Sequence, residues 1–284
     1  MLTPANLNSF ITYNPISVSA ETSLAEAVMT LAQSGLHHCP VINVDRQLVG
    51  LLSDQDIFRA LIQRTPSTID AGDTDVAQVA DLSVADAMST DVHFVSLDES
   101  PHQVLTRLLT QGLDWLPVGQ DEMLVAVTTT TDFLREFSYG QIAISKMRIS
   151  ELMVPAAVIC SETRLSEASG ALIEPSDCLS VVRGDLPIGV LSRRDVRMAM
   201  CRVAVSDWLS EQPDADDLEI SGPRTVLELV SEAPTIRPGA SLQDVATLML
   251  DHRRQAIAVV NQANRMMGAV TEHGILHRML EYLS

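Results

Sequence analysis

Residues 50–56, GLLSDQD, run from apolar residues into a hydroxyl, Ser53, and three positions later a carboxylate, Asp56. The pattern returns as GVLSRRD at 189–195, more loosely as AVTTTTD at 126–132, and as GAVTEHG at 268–274, where Gly274 replaces the acid. Four occurrences in regular order define an internal repeat. Upstream of each copy lies a short apolar run, HCPVI, WLPVG, LSVVR or IAVVN, which puts Pro40, Pro117, Ser180 and Ala258 at equivalent places. Successive landmarks are 77, 63 and 78 residues apart, whereas alternate ones lie 140 (Pro40 to Ser180) and 141 (Pro117 to Ala258) apart. The larger period is therefore a pair of units.

Each unit has the same internal order. A β-prone piece comes first, at 15–18, 92–95, 157–159 and 234–236, followed by polar turn residues and an amphipathic helix. Leu24, Ala27, Val28 and Leu31 mark the helix face in unit one, and Leu242, Val245, Ala246 and Met249 mark it in unit four. Two strands joined by turn residues such as 43–47 and 261–264 come next, and a second helix starts at the hydroxyl motif. The expected class is α/β (α+β), each repeat being strand-helix-strand-strand-helix around a small three-stranded sheet. Acidic, Gly/Pro/Ser-bearing connections at 65–75 and 210–223 fall inside the pairs. One small sheet with two helices cannot cover both of its faces, so pairing of units is expected.

The 284 residues, 46% hydrophobic, suffice for two cores. Aromatics are only 4%, so aliphatic side chains must fill those cores. The apolar runs are strand-sized, far short of the roughly 18 residues a membrane helix needs, so no membrane span is expected. The N-terminal MLTPANLNSF has neither a basic start nor an apolar core, and the expected location is the cytoplasm. Cys39, Cys160, Cys178 and Cys201 show no CxxC spacing, and neither zinc nor a disulfide framework is expected. A formal charge of −18 excludes nucleic acid as an expected partner.

The repeat SLxEAVxxLxxxxxxxxPVIxxxxxLVGLLSxxDI at 23–57 resembles the cystathionine β-synthase (CBS) domain, and its fourfold recurrence resembles two CBS pairs, or Bateman modules. The resemblance places the first pair at 1–140, with repeats at about 10–64 and 84–140, and the second at 141–284, with repeats at about 147–207 and 224–284. It is weakest in unit two, where Pro101 stands at the usual Leu and Ala126 at the usual Gly.

Ser or Thr followed three residues later by Asp before an apolar run is a capping box, and Ser53/Asp56, Thr129/Asp132 and Ser192/Asp195 all fit it. The same place suits a ligand. A helix N-terminus attracts an anion, while a neighbouring carboxylate is a poor phosphate ligand but a good acceptor for a sugar diol. The CBS resemblance implies the same, with these Ser/Thr and Asp residues holding the phosphate and ribose of an adenine nucleotide, AMP, ADP or ATP. It further implies that basic residues just before the middle strand of one repeat complete the site of the other. Arg253 and Arg254 would then serve Ser192/Asp195, and His37 and His38 would serve Thr129/Asp132. Ser53/Asp56 ranks third because it would face Asp114, though Trp115 could stack on a base, and Thr271 ranks last for want of an acid. Arg59 and Arg135 are read as i,i+3 partners of Asp56 and Asp132.

No catalytic residues are expected. His37-His38 has no i+4 partner to make a metal face, and GxSxG, P-loop and GxGxxG motifs are missing. The four repeats leave no room for a catalytic domain. Two functions remain: a stand-alone sensor whose nucleotide-bound state is read by a regulated protein, with a homodimer as its possible assembly, or a ligand-free scaffold or oligomerisation module.

Overall fold

The computed structural model describes residues 7–34, 36–64, 82–120, 123–139, 147–155, 157–171, 178–184, 186–192, 195–196, 199–200, 203, 224–230 and 234–283. After a 3₁₀ turn (Leu7–Phe10) and β1 (Thr12–Tyr13), unit one comprises β2 (Val18–Ser19), α1 (Leu24–Ser34), β3 (His38–Ile42), β4 (Leu48–Ser53) and α2 (Asp54–Arg64). Unit two has α3 (Val84–Ala87), α4 (Pro101–Gln111), β5 (Trp115–Gln120), β6 (Met123–Thr129) and α5 (Thr130–Ser138). Unit three has a 3₁₀ turn (Ile149–Glu151), β7 (Ala157–Cys160), α6 (Leu165–Ala171), β8 (Cys178–Arg183) and β9 (Leu186–Ser192). Unit four has α7 (Val226–Val230), β10 (Thr235–Ile236), α8 (Leu242–His252), β11 (Ala256–Val260), β12 (Met266–Thr271) and α9 (Glu272–Leu280). The expected mixed α/β class holds, with three-stranded sheets ordered β2-β3-β4, β1-β6-β5, β7-β8-β9 and β10-β11-β12.

In units one and two a proline at the landmark limits the first strand, although unit four, with Ala258 there, also pairs at only two residues, Thr235 and Ile236. In unit one β2 pairs in parallel with β3 only at Val18 and Ser19, and in unit two the strand expected at 92–95 shrinks to a single bridge, Val95 to Val118. Val95 donates to the Pro117 carbonyl and accepts from Gly119 N–H, so the next rung would need an N–H from Pro117, which has none. Pro40 stops β2 in the same way. In unit three Ser180 replaces proline, and β7 pairs with β8 over all four residues.

The hairpin turns also repeat. Asn43 Oδ1 accepts from the N–H groups of Asp45 and Gln47, and Asn261 Oδ1 from those of Ala263 and Arg265, so asparagine itself folds the turn.

The segment leading into each unit crosses to its neighbour. Leu24 N–H donates to the Leu82 carbonyl and Val84 N–H to the Thr22 carbonyl; Leu242 with Met147 and Ile149 with Ala240, and Leu165 with Arg224 and Val226 with Thr163, repeat the exchange. On the sheets, β1 adds to β6, Ser89 bridges to Leu51 and Val154 bridges to Ala269. This crossing ties unit one to unit two and unit three to unit four. It also explains the glycine of the opening motif. A Cβ on Gly50 would lie 2.4 Å from Met88 Sδ and 3.1 Å from the Ser89 carbonyl, and one on Gly268 would lie 2.8 Å from the Val154 carbonyl.

The largest core belongs to units two and four together. Val104, Leu105 and Leu108 of α4 and Phe133 and Phe137 of α5 pack in one cluster with Leu242, Val245, Ala246 and Met249 of α8 and with Ile275, Leu276 and Met279 of α9. The leading segment of unit one seals it, with Phe10 stacked on Phe133 at 4.7 Å. In α1 Leu24, Ala27 and Leu31 are buried while Val28 is half-buried.

Candidate functional site

Each hydroxyl motif ends a strand and starts a helix, and three of the four form a closed box. Asp132 Oδ2 accepts from Thr129 N–H (3.0 Å) and Oγ1 (2.7 Å), while Thr129 Oγ1 accepts from Asp132 N–H (3.1 Å). Ser192 and Asp195 repeat this at 2.7, 2.7 and 3.1 Å, and Ser53 and Asp56 close the same three bonds. Thr271 accepts from Gly274 N–H at 3.1 Å without a returning acid. Capping consumes one oxygen of each carboxylate, so the setting of Oδ1 is what distinguishes the three.

Asp56 Oδ1 faces Arg59 at 3.2 Å, within its own unit. Asp132 Oδ1 accepts from Arg135 at 2.6 Å and from Thr12 Oγ1 of β1 at 3.3 Å. These are the i,i+3 pairs that the spacing predicts. Asp195 Oδ1 instead faces Arg254 Nη1 of unit four at 3.8 Å, and Gln255 Oε1 lies 3.5 Å from Ser192 Oγ. Arg254 is anchored by its second nitrogen, which donates to the Leu229 carbonyl at 2.8 Å. Arg253 occupies the left-handed region (φ 52°) that ends α8, a conformation that sends the chain back from the helix into β11.

The residues preceding the middle strands abut the helix starts of their own units. The carbonyls of His37, Asp114 and Gln255 accept from the N–H groups of Asp54, Thr130 and Glu272 at 2.9, 2.9 and 2.7 Å. His37, His38, Thr129, Asp132, Asp195, Arg253 and Arg254 thereby line one cavity of about 1030 Å³ fed by all four units. Ser53, Asp56 and Ser192 lie outside its lining. Three of its features were not read from the sequence: Glu228, Glu272 and the buried hydroxyl of Thr130. Glu272 directly follows the motif hydroxyl, as Asp54 does in unit one, and was visible in TEHG, whereas Glu228 reaches the cavity only through the folding of α7.

One expectation is corrected. Trp115 is not placed to receive a base, because it is 7% exposed and its ring is stacked on His38, with centroids 4.5 Å apart and planes 7° from parallel. The two aromatic rings satisfy each other across units one and two. Cys201 lies outside the described residues. Among the described residues no helix is long and apolar enough to cross a membrane.

The CBS domain family is matched at residues 7–63, 84–139 and 226–281, more than half of the sequence. This chain belongs to the CBS domain family. The matches cover units one, two and four, and the sheet of unit three follows the same order as theirs. Among relatives, the uncharacterized protein MJ1225 of Methanocaldococcus jannaschii is 24% identical over 196 residues, 64% of this chain and 65% of MJ1225. Inosine-5'-monophosphate dehydrogenase of the same organism is 23% identical over 58% of this chain and only 29% of the enzyme. The CBS chain thus spans about two thirds or less of these relatives' lengths. The crystal structure of MJ1225 superposes with a TM-score of 0.74 at 19% identity, covering 97% of this chain and 100% of that one. An uncharacterized conserved protein from Pyrococcus horikoshii superposes with a TM-score of 0.59 at 16% identity, also over 97% and 100%.

Proposed function

We propose that this chain is a non-catalytic regulatory protein in which four CBS units form two Bateman modules, 1–140 and 141–284, and an adenine nucleotide binds between paired units. The observation that carries this reading is the cavity in which seven motif residues from four units converge. The leading site is Ser192/Asp195 with Arg253 and Arg254. Asp195 Oδ1 takes the ribose diol, Arg254 turns from Asp195 to the phosphate, and Ser192, outside the cavity lining, holds the Asp195 carboxylate in place. Thr129/Asp132 with His37 and His38 is second, since Arg135 already saturates Asp132. Ser53/Asp56 is foremost a cap.

Among the described residues the cavity wall carries five carboxylates, those of Asp114, Asp132, Asp195, Glu228 and Glu272, against the three guanidiniums of Arg135, Arg253 and Arg254. Each added phosphate worsens that balance, so AMP ranks ahead of ADP and ATP. A regulated partner protein reads the resulting change in unit packing.

Differential scanning fluorimetry with AMP, ADP, ATP and S-adenosylmethionine tests the reading. A ligand at 100 times its dissociation constant adds about 2.7 kcal/mol of apparent stability, near 5 °C for a chain of this size. Saturable stabilisation, largest for AMP, is expected. No shift with any of the four would leave the scaffold reading, in which the boxes are caps alone, as Ser53/Asp56 already is.

A further inference from the structure

We propose that His273 and His277 form a surface site for a divalent transition metal, separate from the nucleotide cavity. They stand at i and i+4 on α9 in the stretch EHGILHR (272–278), the spacing that His37-His38 lacks. Both are exposed, and their Nε2 atoms lie 3.0 Å apart with ring planes inclined by 74°. A metal bound to both at the usual imidazole distance of about 2.05 Å would subtend an N–metal–N angle of about 94°. That is the cis angle of a square-planar or octahedral ion; a tetrahedral ion would need the nitrogens about 3.35 Å apart at the same bond length. The geometry therefore favours Cu²⁺ and Ni²⁺ over Zn²⁺.

Each ring ligates through Nε2 with its proton on Nδ1, so the ring that now donates through Nε2 in the Nε2···Nε2 contact shifts that proton to its own Nδ1 as the metal replaces the contact. The pair is preformed, because the opposite face of α9 buries Ile275, Leu276 and Met279 in the core shared with α4, α5 and α8. Among the described residues no group of three or more His, Cys, Asp or Glu is placed to hold a metal. Water fills the remaining positions, which makes the site open and exchangeable rather than structural.

Titration calorimetry of the full chain with NiCl₂, and electron paramagnetic resonance with one equivalent of Cu²⁺, test this. One saturable Ni²⁺ per chain is expected, with hyperfine splitting from two nitrogens on Cu²⁺. His273→Gln and His277→Gln each weaken Ni²⁺ binding at least tenfold and remove one nitrogen, while His252→Gln on α8 changes neither readout. Unchanged melting of the metal-free variants keeps misfolding out of the comparison. No saturable Ni²⁺ binding, or binding by His273→Gln and His277→Gln equal to that of the parent, overturns the assignment.

Discussion

Replacing Asp195 and Asp56 by alanine separates a cap from a site, because the two carboxylates make the same three intra-box bonds and differ in what faces Oδ1. Each substitution removes the acceptor for one main-chain N–H and one hydroxyl at a helix start. Cap removal costs about 1 kcal/mol, which lowers the melting temperature by about 2 °C in a chain of this length. The two variants are therefore equally destabilised without ligand. The Arg59 and Arg254 contacts add little to either, since both arginines are partly solvated. With AMP the variants diverge. Hydrogen bonds from a ribose diol to a carboxylate contribute about 1.5–3 kcal/mol, so Asp195→Ala raises the dissociation constant about 10- to 150-fold. At an AMP concentration 100 times the parent value, ligand-added stability falls from about 2.7 to about 0.3–1.4 kcal/mol, whereas Asp56→Ala keeps nearly all of it. Fluorimetry with calorimetric affinities measures both quantities. Equal loss of AMP stabilisation in the two variants would refute the ranking of the sites.

Gly268→Ala sets a Cβ 2.8 Å from the Val154 carbonyl, so the crossing segment of unit three must shift, and urea titration is expected to show a loss of about 1–3 kcal/mol; unchanged stability would mean that the crossing is not tight. Burial pushes the Cys39 thiol up to about 12 from the ordinary 9.0, a roughly thousandfold smaller thiolate fraction, so brief iodoacetamide labelling and peptide mapping should find exposed Cys160 modified and Cys39 intact until the protein unfolds. The Ser241 hydroxyl, and then its main-chain N–H, hold Asp244 below the ordinary 3.8. A carboxylate depressed in the folded state contributes stability that is present above its unfolded pKa and is lost as pH falls through the folded value. Asp244→Asn should therefore cost about 0.5–1 kcal/mol near pH 7, and the gap to the parent should close below pH 4; a gap constant down to pH 2.5 would show that the charge is irrelevant to the cap.

Most of the fold was legible because the repeat is written in local chemistry: the helix face Leu242, Val245, Ala246 and Met249 is wholly buried, and the capping boxes close as their spacing requires. What the sequence hid is long-range. A proline at the landmark limits the parallel first strand in units one and two, which appears only once Val95 is seen bonded to the Pro117 carbonyl. The shared core of units two and four joins side chains more than a hundred positions apart, and no periodicity announces it. At the site, the CBS resemblance implies Arg253 and Arg254 beside Ser192 and Asp195; Arg254 faces Asp195 at 3.8 Å, while Arg253 ends α8. The pairing of His38 with Trp115 is not legible in the sequence, because the two rings lie 77 positions apart and each is equally suited to a ligand.

The three boxes also differ in how far each depends on packing between units. Asp56 is satisfied by Ser53 and Arg59, all within one strand-helix corner, so its environment survives any relative movement of the units. Asp132 adds one bond from Thr12, whose strand β1 is part of the same sheet as β6, and this contact moves only if that sheet edge opens. Asp195 depends on Arg254, which is held by the carbonyl of Leu229 at the end of α7 and follows directly from α8 in the core shared with unit two. A change in the spacing of units three and four therefore alters the charge facing Asp195 first. By linkage, a ligand that distinguishes the paired from the unpaired state of Asp195 must shift that spacing by the same free energy. Removing Arg254 breaks this link while leaving the Ser192/Asp195 box intact, so Arg254→Ala should preserve the cap and lose the dependence of unit packing on ligand.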